Sequence, residues 1–227
     1  MNERIKSAIE AGRIVLVFGA GASIGSSNQS GNPVLSGTDL SQLLAKEAQV
    51  EYSGEGLQVV YGAVKHILGG RLNDILEMNY RHCEPSENYI AISKFPWARI
   101  YTLNIDDALD IALVKHSKQK VNTIYRFDKI IDQDKIFNKL EYVKINGSID
   151  RLSEGLIFSE SEYGKASAES PLWYRELAED YFKYTIIFIG TKLDESTLWH
   201  HIERYKLNTN SEKRILLSIS WCEYMLG

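Results

Sequence analysis

Cysteine is nearly absent: the 227 residues hold only Cys83 and Cys222. Without a C-x-x-C pair, neither a zinc ribbon nor a disulfide framework is available. A reducing, cytoplasmic setting fits such usage. No apolar run approaches the roughly 20 residues that a membrane helix needs. The N-terminal stretch MNERIKSAIEAGR reads as an amphipathic helix of mixed charge, not a signal peptide. Long basic runs are missing too, and the formal net charge is −4. This argues against a nucleic-acid groove as the main function; any nucleic-acid contact falls to other regions or subunits. Internal repeats and low-complexity segments are also absent. What remains is a chain with an ordinary hydrophobic share of 44%, long enough for one large or two small domains.

The stretch RIVLVFGAGAS organises the rest. Residues 14–18 are apolar and mostly β-branched, so they read as a buried strand. The run stops at Gly19-Ala20-Gly21-Ala22-Ser23. Small residues let the backbone turn tightly and approach another group, with N–H groups pointing outward. A strand entering a glycine turn before a helix is a phosphate cradle. The motif is G-x-G-x-S rather than the full G-x-G-x-x-G, and an ordinary strand-to-helix turn is the competing reading.

Residues 24–36 are rich in Ser, Asn and Gly and read as a loop, either closing over a ligand or lying free on the surface. Helices are expected at 39–48, capped by Thr38 or Asp39, and at 57–68, 72–80 and 88–94. That is far more helix than one crossover needs, so it reads as an insertion packed over the sheet's edge. His66 and His82 within it read as partly buried surface histidines. Further strands are expected at 98–103, 122–126, 141–145, 155–158, 184–189 and 214–219. Helices are expected at 108–115, 173–182 and 196–205, and a charged connection with a short helix at 128–140. Alternating strands and helices, with strands apolar throughout, indicate an α/β fold: Rossmann-like, with a mostly parallel sheet covered by helices. A strand so close to the C-terminus also suggests the front part of a longer protein.

In such sheets ligands bind beyond the carboxyl ends of the strands. Four strand ends carry polar sequences there: GAGAS, TLNIDD, INGSID and IGTKLD. Gly19, Ala20, Gly21, Ala22 and Ser23 suit a diphosphate, and Gly190 and Thr191 suit a second phosphate or a ribose. Asn104 can hold a water or a sugar hydroxyl without charge. Asp106 can accept from an amide or a hydroxyl. The plain alternative for Asn104, Asp106 and Asp107 is helix capping, and for Asn146 a turn residue. Acids at this helix start repel phosphate, so this end suits the uncharged part of a ligand.

This combination resembles the sirtuin-like domain: GAGAS, then T-x-N-x-D at 102–106, Gly147-Ser148 after a strand, and Gly190-Thr191-Lys192-Leu193-Asp194. The resemblance runs over about residues 10–205. It is nearest the branch found in bacterial anti-phage defence proteins, which lack the zinc module and carry a helical insertion. Residues 157–163 are also similar to that branch. Four-cysteine sirtuin deacylases are a poor match. The resemblance implies one sirtuin-like domain over 1–227, with 37–95 as the insertion. It implies NAD+ as substrate, hydrolysed to nicotinamide and ADP-ribose, and defence through NAD+ depletion. It also implies a homo-oligomer or a partner sensor domain, no membrane and no metal. Ala20, Gly21, Ala22 and Ser23 then hold the diphosphate, Asn104 orients water, Asp106 binds the carboxamide and Thr191 contacts the adenosine half.

One residue departs from the pattern. The family's His-Gly is Asn146-Gly147 here. That histidine serves as a base on the ribose hydroxyls, and Asn accepts no proton at neutral pH. None of the five histidines, 66, 82, 116, 200 and 201, follows a strand in the right place. Three readings stay open: an altered, inactivated position, a natural NAD+ or ADP-ribose-binding sensor module, or slow hydrolysis by Asn104 and water.

Overall fold

In a computed structural model, the structure describes residues 3–129, 139–169, 171–191, 193, 196–209 and 216–219. Among these, six strands form one all-parallel sheet: β1 (Ile14–Phe18), β2 (Arg99–Thr102), β3 (Lys120–Tyr125), β4 (Lys139–Lys144), β5 (Thr185–Ile189) and β6 (Leu216–Ile219). Their order is β3-β4-β2-β1-β5-β6, which places β1 and β2 centrally. Val17 lies opposite Tyr101 on one side and Phe188 on the other.

Both faces of β1 are apolar because both are covered. Val15 and Val17 face one layer, with Tyr101, Val143 and Phe188. That layer is closed by α7 (Glu160–Glu169), α8 (Leu172–Lys183) and α9 (Ser196–Thr209), through residues such as Ala166, Trp173, Leu177 and Ile202. Ile14, Leu16 and Phe18 face the other, with Ile100, Tyr142 and Ile187. There α5 (Glu87–Ser93) and α6 (Ala108–His116) contribute Tyr89, Leu109 and Leu113, and α1 (Glu3–Glu10) adds Ala8 and Ile9.

Between β1 and β2 run α2 (Gly37–Glu47), α3 (Leu57–Leu68), α4 (Gly70–Tyr80) and α5. A third core joins Leu44, Val64, Ile75 and Leu76 of α2–α4 to Ile105, Ile149 and Leu156. Ile105 follows β2 and the other two follow β4, so these helices roof the carboxyl ends of the strands. Ser36, not Thr38 or Asp39, caps α2: its hydroxyl accepts from Asp39 N–H while the Asp39 carboxylate accepts from Ser36 N–H.

Residues 155–158 are not a strand. Ile157 N–H donates to Asn146 C=O at 2.9 Å, and Leu156 and Ile157 plug two different cores. A four-residue apolar run looks the same whether it is a strand or a buried connection. The helix α7 was not expected, because ESEYGKASAE is polar and buries fully only Ala166. It begins on a reciprocal cap, Glu162 N–H to Ser159 Oγ and Ser159 N–H to Glu162 Oε2. The helix expected within 128–140 falls largely on 130–138, outside the described residues. No described helix is long and apolar enough to cross a membrane.

Candidate functional site

The glycine turn is locked to the end of β5. Gly19 N–H donates to Ile189 C=O, and Gly21 N–H to Gly190 C=O at 2.8 Å. A Cβ on Gly190 would lie 2.0 Å from Ala22 N, and φ there is +67°. A Cβ on Gly19 would lie 2.8 Å from Thr191 Cβ. Ala22 N–H returns to Gly19 C=O at 2.9 Å. The N–H groups of Gly19, Gly21 and Ala22 therefore do not point outward, contrary to the sequence expectation. Backbone approach between two turns takes the first two and Gly19 C=O takes the third, and it is the approach between turns that demands glycine. Ala20 stays exposed.

Ser23 is 5% exposed and joins three site residues. Its Oγ donates to Asp106 Oδ2 at 2.8 Å and lies 3.1 Å from the Tyr89 hydroxyl. It also accepts from Asn104 Nδ2 at 3.1 Å. Asn104 Nδ2 donates further to Gly19 C=O at 2.9 Å. A carbonyl only accepts, so this contact fixes the amide's orientation. Among the described residues no hydrogen bond reaches Asn104 Oδ1, and that oxygen remains free for a water or a hydroxyl.

Asp106 Oδ1 accepts from Ala108 N–H at 3.1 Å, so the carboxylate also caps α6. Burial pushes its pKa up, against the pull of the Lys144 ammonium. Lys144 is fully buried in β4 and donates to Asp106 C=O at 2.9 Å and to Asp110 Oδ2 at 2.7 Å. Burial alone would lower the Lys144 pKa, but the Asp110 and Asp106 carboxylates hold it above its ordinary value. Asp107 does different work. Its carboxylate accepts from His82 N–H at 2.6 Å and Cys83 N–H at 2.8 Å, tying the α4–α5 connection to α6.

Asn146 is 2% exposed, and both ends of its amide are engaged. Oδ1 accepts from the Tyr174 hydroxyl at 2.6 Å, and Nδ2 donates to the Tyr163 hydroxyl at 3.3 Å. Gly147 follows at φ +103°, where a Cβ would lie 2.8 Å from Gly155 C=O.

A cavity of about 410 Å³ opens among these groups. Ala20, Ser23, Asn104, Asp106 and Asn146 line it from the sheet side, and Leu35, Leu57 and Tyr80 from the roof. Phe158, Glu160 and Tyr163 close a third side. Among the described residues its lining includes two carboxyl groups, Asp106 and Glu160, and no Lys, Arg or His. Such a cavity favours a cationic or neutral group and disfavours a phosphate.

A family model for the SIR2-like domain matches residues 98–223. The chain belongs to the SIR2-like family. The matched segment of this SIR2-like protein carries Asn104, Asp106, Asn146, Gly190 and Thr191, while the glycine turn and α2–α5 precede it. No curated protein matches the chain. Membership brings NAD+-related chemistry with it.

The cavity gathers Ala20, Ser23, Asn104, Asp106 and Asn146, but Gly190 and Thr191 do not line it. Thr191 instead packs on Gly19 and accepts from Leu193 N–H at 3.1 Å. Lys192 and Asp194 lie outside the described residues. No histidine lines the cavity. His66 and His82 are exposed rather than partly buried, because both sit on helix or loop faces turned from the cores. The loop at 24–36 is not free: Ser27 bridges to Pro33 and Glu84, and Ser86 N–H donates to Ser26 Oγ at 3.0 Å.

Tyr89, Lys144, Glu160, Tyr163 and Tyr174 were not expected at the site. Glu160 and Tyr163 fell within the segment 157–163 that resembles the defence branch, and Lys144 stood out as a charge between Val143 and Ile145 at the end of β4.

Proposed function

We propose that this SIR2-like chain is an NAD+ glycohydrolase that releases nicotinamide and ADP-ribose. One observation carries the reading: a cavity whose described lining has two carboxyl groups and no cation, holding Asn104, Asp106 and the Asn146 position together. The pyridinium end of NAD+ is a cation, and its diphosphate belongs at the mouth near Ala20. Asp106 suits the carboxamide, and Asn104 Oδ1 suits the attacking water. Cleavage builds an oxocarbenium-like centre at the ribose, comparable to glycoside hydrolysis. Nicotinamide leaves neutral from a cationic ring, so little acid help is needed. The protein's task is to fix the sugar, exclude bulk water and place one nucleophile.

The likeness to anti-phage sirtuin-like domains supports an effector that depletes NAD+, working in a homo-oligomer or beside a sensor domain. In this proposal 1–227 is one sirtuin-like domain, and 37–95 is its helical insertion. Gly190 and Thr191 serve the adenosine half outside the cavity. A second reading, NAD+ or ADP-ribose binding without turnover, is favoured by Asn146, whose amide is held by two tyrosine hydroxyls and takes no proton.

The test is nicotinamide release from NAD+, with Asn104→Ala as the comparison. The hydrolase reading expects release that falls at least ~100-fold in Asn104→Ala, the scale of a lost positioning group. Tight NAD+ binding by calorimetry, with NAD+ recovered intact, supports the second reading instead.

A further inference from the structure

From the arrangement around Asn146 we infer that Glu160 is the general base of this site, serving where no imidazole is present. The inference rests on the hydrolase reading. Asn146 offers no proton acceptor, and both ends of its amide are committed to Tyr174 and Tyr163. No histidine lines the cavity. That leaves the two carboxyl groups. Asp106 is buried, and its oxygens already accept from Ser23 Oγ and Ala108 N–H. Glu160 is exposed at the cavity wall and forms no hydrogen bond or ion pair among the described residues.

Its place is fixed from both sides. The Ser159–Glu162 cap sets where α7 begins, with Glu160 as the first helical residue. Tyr163 stands three residues on, on the same helix face. The Tyr163 hydroxyl reaches Asn146 at 3.3 Å, so Glu160 lies one helical turn from the tyrosine that touches the residue whose base it replaces. Both residues line the cavity together with Asn104.

In the step, water held on Asn104 Oδ1 attacks C1′ of the nicotinamide ribose. The C1′–N1 bond breaks, and its electron pair neutralises the pyridinium nitrogen. The water's proton passes to the Glu160 carboxylate and from there to solvent at the open wall. NAD+ and water thus give nicotinamide, ADP-ribose and one proton.

The experiment measures kcat for nicotinamide release across pH in four full-length chains: unaltered, Glu160→Gln, Asn146→His, and the double variant. We expect turnover by the unaltered chain with an acid limb. Glu160→Gln should lower kcat by ~10²–10⁴ and abolish that limb. The double variant should regain the Asn146→His rate, which also shows that the glutamine leaves the fold intact. Glu160→Gln turning over like the unaltered chain overturns the inference and leaves the hydrolase reading standing. So does an unaltered chain that is silent while Asn146→His is active. A double variant that stays silent beside an active Asn146→His places the effect of Glu160 in structure and overturns it as well. Silence of both the unaltered chain and Asn146→His removes the hydrolase reading itself, and this inference with it.

Discussion

Asp106 and Lys144 illustrate how a buried charge is held at one residue's scale. Asp106 is 5% exposed and Lys144 is not exposed at all. Such groups persist only when each polar atom finds a partner. Ser23, Ala108 and Asp110 supply those partners. The Asp106 pKa is nevertheless raised from its ordinary value, because burial outweighs the nearby ammonium. An acid whose folded pKa is raised adds stability below its unfolded pKa, and that contribution is lost as pH rises through the folded value. The stability of the unaltered chain relative to Asp106→Asn should therefore be greatest near pH ~4 and shrink toward neutrality. Urea midpoints of both chains across that range check the sign; a difference that grows with pH contradicts it.

Among the elements, the two strand-end turns depend on one another. The turn after β1 and the turn after β5 approach so closely that glycine is needed on both sides. Gly190→Ala should destabilise by about 2–4 kcal/mol, from overpacking against Ala22 and from a left-handed backbone. Equilibrium urea unfolding measures this, and a loss well under about 1 kcal/mol would mean the turns separate freely. The consequence for function is that these glycines hold the wall of the cavity before they hold any phosphate. Likewise α7, polar in sequence, matters because it brings Glu160 and Tyr163 to the cavity wall beside Asn146.

For the whole molecule, the decisive arrangement is the roof of α2–α4 over the strand ends. Its attachment includes the Asp107 carboxylate, which accepts from His82 and the buried Cys83 N–H. Asp107→Ala leaves a buried donor unmet, at a cost of about 1–3 kcal/mol. Hydrogen exchange of residues 70–93 should then quicken, while β1, β2 and β5 keep their protection. Uniform quickening over the sheet would show instead that roof and sheet open as one unit.

The sequence by itself determined the sheet. Continuous β-branched runs can be buried only between two helical layers, and polar residues immediately after them mark the carboxyl ends. Asn104, Asp106 and Asn146 were legible for that reason, as was the helical character of 57–68. Only the tertiary structure decided what those residues do together. Ser23 stands far from Asp106 in the chain yet donates to it, because parallel strands align their carboxyl ends. Gly190 reads as a ligand contact in the sequence, and the structure adds that it packs against the turn after β1, since local pattern carries no information about which backbone comes close. Glu160 and Tyr163 carried no periodic apolar signal, so their helix and its place beside Asn146 emerged only when Ala166 and Tyr163 packed into the first core.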